Sequence, residues 1–174
     1  MKIIIFVLYF ISIMAGYISS IYLYSQIVQR KPVIKKSYIY LSILCFLLQA
    51  LLQMKGLAIA TPLFTFGWLI IFGKKLFQTS WRETIICFIM IWVILFLIDV
   101  LIMFHMNSIE LYSFDPLVVQ IFKGLSSITM SILLILVAKF PFIIKGLSKL
   151  FKALNRLNSY NECANASDAR IVTQ

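Results

Sequence analysis

The chain alternates long apolar runs with short polar connections, and the connections carry most of the charge. The runs extend from about Ile3 to Ser25, Ser37 to Met54, Leu57 to Phe72, Ile85 to Met106 and Leu117 to Ala138. A run such as Ile85–Met106, at 1.5 Å per residue, is long enough to cross a hydrocarbon core of about 30 Å. Five runs predict five membrane-crossing helices. Helix 3 is the short one, and Pro62 near its start marks either a kink or a later true start. Helices 2 and 3 are then a full hairpin or a partly re-entrant pair, and both options return the chain to the same side. Asp115-Pro116 reads as an N-cap followed by a favoured first helical position for helix 5.

After Lys139 the period changes. Within Pro141–Asn158, Lys145, Lys149, Lys152 and Arg156 recur at spacings of four, three and four. Ile143, Ile144, Leu147, Leu150, Phe151, Leu154 and Leu157 read as one opposite, apolar face. This predicts a basic amphipathic helix over 140–158, suited to lying on an anionic leaflet or packing on a partner helix. Residues 159–174 are polar and aperiodic, which predicts a disordered tail. The expected fold class is therefore all-α, a polytopic membrane bundle over residues 1–139 followed by this helix.

Composition agrees with the pattern. Of 174 residues, 62% are hydrophobic and 13% charged, with a mean hydropathy of +1.00. A soluble domain of this size needs more polar surface. The net charge of +10 would suggest nucleic acid in a soluble protein, but here the bases flank apolar runs, so contact with an anionic inner leaflet is the simpler partner and no nucleic acid is expected. Residues 26–36 hold four bases, 73–84 three, and 139 onward six, together 13 of 16. The positive-inside rule then gives five spans with the N-terminus out and the C-terminus in. Lys2, Lys55 and the base-free 107–116 connection face outside, and the protein is expected in the cell membrane.

Several residues inside the runs stand out. Ser12, Gly16 and Ser20 form a small-residue stripe on helix 1, and Gly124, Ser127 and Ser131 form one on helix 5. Such stripes let helices approach closely, within the chain or in a homodimer. Cys45, Gln49 and Gln53 share a face of helix 2 that should turn inward, because amides facing lipid are left unsatisfied. Their bland role is interhelical hydrogen bonding, and their functional one is ligand binding. Asp99 and Lys123 lie at matching depths on consecutive antiparallel helices. They read as a structural ion pair or as the polar floor of an outward-facing ligand pocket, with snorkelling open to Lys123. His105, the single histidine, sits at the outer end of helix 4 as an interfacial residue or ligand contact. Cys45, Cys87 and Cys163 show neither metal nor redox spacing. No phosphate loop, paired carboxylates or Cys–His pair is present, so no catalytic role, cofactor or metal is expected.

The stretch FGKKLFQTSWRET, Phe72 to Thr84, and the tight turn around Met54-Lys55-Gly56 resemble the membrane sensor half of accessory-gene-regulator-type (GHKL) histidine kinases of Gram-positive bacteria. The similarity covers about residues 1–140, mostly as helix spacing and loop charge. It implies a quorum-sensing receptor that binds a secreted peptide on the outer face, lined by the 107–116 connection and the Lys55 turn. The family's last helices, phospho-accepting histidine and ATP-binding module are not found in these 174 residues, so kinase activity is not carried over. The chain reads as a truncated or orphan sensor, or a fragment. The functional expectation is a receptor-like sensor that relays helix movement to the inner side. The alternatives are a small transporter or transport-complex subunit using Asp99 and Lys123, and a structural membrane partner.

Overall fold

A computed structural model describes residues 2–55, 60–107 and 116–171, with side chains placed over 3–55, 64–101 and 118–156. Among the described residues there are six helices and no strand: α1 (Lys2–Val28), α2 (Lys36–Met54), α3 (Ala60–Phe77), α4 (Trp81–Asn107), α5 (Pro116–Lys139) and α6 (Pro141–Ile171). Four of them, α1, α2, α4 and α5, are long and apolar enough to cross a membrane. α3 is not in that set. It has 18 residues, and Lys74 and Lys75 occupy its last turn.

The helix ends follow local chemistry. α1 runs past Ser25 and stops where Gln29 adopts φ 58°, a left-handed residue of the kind that closes helices. Gln78, with φ 50°, closes α3 in the same way. α4 begins at Trp81 rather than Ile85, because Ser80 and Glu83 form a reciprocal cap. The Ser80 N–H donates to Glu83 Oε2 at 3.0 Å, and the Glu83 N–H donates to Ser80 Oγ at 3.2 Å. The basic stretch 73–84 is therefore largely helical, with only residues 78–80 between α3 and α4. Pro62 falls within the first turn of α3, where a proline is tolerated, which favours a late start over a kink. Pro116 and Pro141 open α5 and α6. α6 stays helical to Ile171, across most of the stretch for which disorder is expected. Ala164, Ala166 and Ala169 are good helix formers, and 159–171 contains neither Gly nor Pro.

α1 is the central element and touches every other helix, most extensively α5. Its small-residue stripe meets the stripe of α5. A methyl group on Gly16 would lie 3.9 Å from Ser131 Oγ, and one on Gly124 would lie 2.6 Å from Leu8 Cδ2. The hydroxyls of Ser12, Ser19 and Ser131 donate to carbonyls of their own helices, so close packing rather than hydrogen bonding joins this pair.

The burial pattern is that of a bundle solvated by lipid. Ser12, Ser19, Ser20, Ser42, Gln49, Thr84 and Ser131 are buried, while Ile3, Val7, Leu44, Leu48, Ile89, Phe96, Leu97 and Leu101 are exposed. In water such an apolar surface would aggregate. Facing acyl chains, it needs no cover.

Candidate functional site

Two polar clusters lie along one side of α1. In the middle of the helix, buried Tyr17 donates its hydroxyl to Gln49 Oε1 of α2 at 3.2 Å. Gln49 Nε2 donates in turn to Thr65 Oγ1 of α3. Phe46, one turn before Gln49, packs on the Tyr17 ring with centroids 4.6 Å apart. Three helices thus share one hydrogen-bonded chain at a depth where water is scarce and every amide needs a partner. Cys45 is buried next to it as a free thiol. Gln53, one turn further, is half-buried and its Oε1 is shielded with no partner. An acceptor left in that state costs about 1–3 kcal/mol and is satisfied by any donor brought to it. Trp68 Nε1 on α3 is a shielded donor without a partner.

The second cluster sits at the basic end. Tyr24 and Thr79 hydroxyls are 2.9 Å apart, and those of Thr79 and Thr84 2.8 Å apart. Thr84 also donates to the Ser80 carbonyl at 2.9 Å. Each hydroxyl has one proton and the carbonyl only accepts. The chain therefore has one direction: Tyr24 donates to Thr79, Thr79 to Thr84, and Thr84 to Ser80. Around it, Phe77 and Phe88 pack on the Tyr24 ring at 4.4 and 5.0 Å. Arg30 reaches the Gln78 carbonyl at 3.4 Å and Glu83 Oε2 at 4.0 Å. The Val33 N–H donates to the Leu76 carbonyl at 2.7 Å. Lys74 lies 3.9 Å over the Trp81 ring. The two basic connections that the charge count assigns to one side are thus in direct contact.

Of the residues singled out from sequence, Gln49 joins the first cluster and Gln53 flanks it on the same helix face. Asp99 and Lys123 are not brought together. Asp99 is half-buried on α4, Lys123 is exposed on α5, and no ion pair joins them. The expected Asp99–Lys123 pair is corrected accordingly: equal depth does not make two helices present those positions to each other. His105 belongs to α4, but its side chain lies outside the described ones, as do the 107–116 connection beyond Asn107 and most of the α2–α3 turn. Tyr17, Thr65, Tyr24, Thr79 and Thr84 were not anticipated. The Ser80-x-x-Glu83 box was the available signal for the basic end. The spacing of seven between Tyr17 and Tyr24, which places both on one side of α1, was the signal for the link between the clusters.

Fold and burial define a helical membrane protein whose two hydrogen-bonded polar clusters both include a tyrosine of its first helix. Compared with known proteins, the chain matches no family model, no curated protein and no solved structure.

Proposed function

We propose that the protein is a receptor-like membrane sensor in which α1 carries a change at the outer half of the bundle to its basic, inner end. The observation that carries this reading is the double attachment of α1. Tyr17 ties it to α2 and α3, Tyr24 ties it to the α3–α4 turn, and α6 rests on it. A shift or rotation of α2 against α3 at Gln49 would pull on α1 at Tyr17, and a rigid helix would transmit that to Tyr24 and α6. Signal-carrying helices move by about 1–2 Å, within the reach of such a device. The ligand envisaged is a secreted peptide on the outer face, with Gln53 Oε1 supplying an acceptor for it. The reading assigns no catalytic step to the chain. Transport through Asp99 and Lys123 is less well supported, since the two form no ion pair. A scaffold role through the α1 and α5 stripes is less well supported because each stripe is covered by the other.

The test places spin labels at Lys31→Cys and Lys152→Cys in a Cys163→Ser background, in nanodiscs, with and without the peptide fraction of spent culture medium. A distance change beyond about 2 Å on peptide binding is expected. An unchanged distance at saturating peptide, or solute uptake into proteoliposomes, overturns the reading.

A further inference from the structure

The apolar side that the sequence gives α6 as a single face is divided in the structure. Ile144, Leu147, Phe151 and Leu154 turn to the bundle, where α6 meets α1, α4 and α5. Ile143 and Leu150 do not. They are exposed, as is Phe142 at 87%. Lys145, Lys149, Lys152 and Arg156 are exposed on a third side, and no acid lies between residues 141 and 156. At about 100° per residue, Ile143 and Leu150 centre roughly 70° from the docked set and roughly 140° from the bases, with Phe142 between them and the bases.

We propose that α6 is a three-sided clamp whose two free sides bind an anionic lipid leaflet, the basic side at the headgroup phosphates and the apolar side among the upper acyl chains. Three observations choose this occupant. The four bases complement an anionic surface. The apolar side sits beside them, as in helices that lie in the interface. α6 also starts two residues after the end of membrane-long α5, which fixes its first turn at the membrane boundary. The division has a consequence. Lipid and bundle contact different sides of α6, so anionic lipid holds the helix docked rather than peeling it away. The docked side needs that help, because the Ser148 hydroxyl is buried there without a hydrogen-bond partner. This inference stands on the membrane location of the bundle and not on the sensor reading.

The test uses the full chain, carrying Cys163→Ser, in nanodiscs of phosphatidylcholine alone or mixed with phosphatidylglycerol. A bimane label at Leu150→Cys is expected to be quenched by doxyl-labelled acyl chains and shielded from iodide, more strongly with phosphatidylglycerol. In the unlabelled protein, amide exchange over residues 144–154 is expected to slow when phosphatidylglycerol is added, and the effect to fade with salt. Replacing all four bases by Gln is expected to remove the phosphatidylglycerol dependence and keep the fold, since all four are exposed. A label at 150 open to iodide in both discs overturns the proposal. So does a label shielded from both quenchers, which would mean that protein covers this side. Faster exchange over 144–154 with phosphatidylglycerol would show lipid releasing α6 and would overturn the clamp.

Discussion

Gly124→Ala tests the packing on which the bundle depends. An added Cβ would sit 2.6 Å from Leu8 Cδ2, 2.7 Å from Leu8 Cγ and 3.6 Å from Leu8 Cδ1. Ordinary carbon contacts are about 3.5–4.0 Å, so two atoms must retreat by roughly 1 Å. The Cγ atom is held close to the α1 backbone, so a rotation at the end of the side chain does not clear the overlap. Leu8 must change χ1, or α1 and α5 must separate. Overpacking of this kind costs about 1–3 kcal/mol. The better helix propensity of Ala returns up to about 1 kcal/mol. The net expectation is a loss of about 0–2 kcal/mol, too broad to be decisive alone. The decisive quantity is the coupling with Leu8→Ala. By itself Leu8→Ala loses packing on Gly124 and destabilises. In the Gly124→Ala background it relieves the overlap, so its cost should shrink or reverse, a coupling of about 1–3 kcal/mol. Steric-trap unfolding in bicelles measures the four species of the cycle. Additivity within about 0.5 kcal/mol would mean that Leu8 and Gly124 do not face one another, and the α1–α5 contact as described would be wrong.

Gln49→Leu breaks the chain between Tyr17 and Thr65 and should lower stability by about 1–2 kcal/mol in the same assay, and Tyr17→Phe by less, because an intramembrane hydrogen bond is worth about 0.6–2 kcal/mol. Ser80→Ala removes the Oγ that caps Glu83 N–H and should cost about 1 kcal/mol, visible as faster amide exchange at the start of α4. Arg30→Ala should change the thermal midpoint little, because the pair with Glu83 spans 4.0 Å with side chains 49% and 29% exposed, and such pairs contribute about 0–1 kcal/mol. Gln78→Gly relieves a left-handed residue and should stabilise by up to about 1 kcal/mol, a gain in chemical denaturation that a right-handed position would turn into a loss.

The helices and their approximate positions were legible because an apolar run of membrane length has few other readings. Their ends were less so. α1 and α3 close on Gln29 and Gln78, residues that carry no helix-stop signal of the kind Gly gives. Lys74 and Lys75 looked like turn residues, yet their long stems let a helix continue into the interface, with Lys74 lying over Trp81. Asp99 and Lys123 show the limit of depth arithmetic. The rise per residue gives a level in the membrane but not a direction. Lys123 precedes the buried Gly124 by one residue, about 100° around the helix, and its side chain is exposed. The inward turn of Gln49 was legible, since lipid offers an amide nothing. Its partners were not, because Tyr17 and Thr65 are ordinary in apolar sequence until the fold brings three helices to one level.

The two sides of α1 hold the bundle by different means, and the sequence of α1 separates them. Ser12, Gly16 and Ser20 advance by four residues and form one stripe, while Tyr17 and Tyr24, seven apart, lie within about 20° of each other on another. Ser12 and Tyr17 are about 140° apart, but the stripe winds toward the tyrosines, so the two sides are separate at the Ser12 end and adjoin at Ser20, about 40° from Tyr24. Lipid chains are as apolar as Leu, so burying hydrocarbon between helices brings little in a membrane, and each contact needs either close fit or hydrogen bonds. The small stripe supplies fit against α5, and the hydroxyls of Ser12 and, on α5, Ser131 are satisfied within their own helices. The tyrosine side supplies hydrogen bonds to α2 and to the α3–α4 turn. Close fit has no directional bond that must break for small sliding, whereas a tyrosine hydroxyl on a single acceptor fixes position. On the proposed sensor reading, movement of α2, α3 or α4 would reach α1 through Tyr17 and Tyr24, and α5 would supply the surface along which α1 moves.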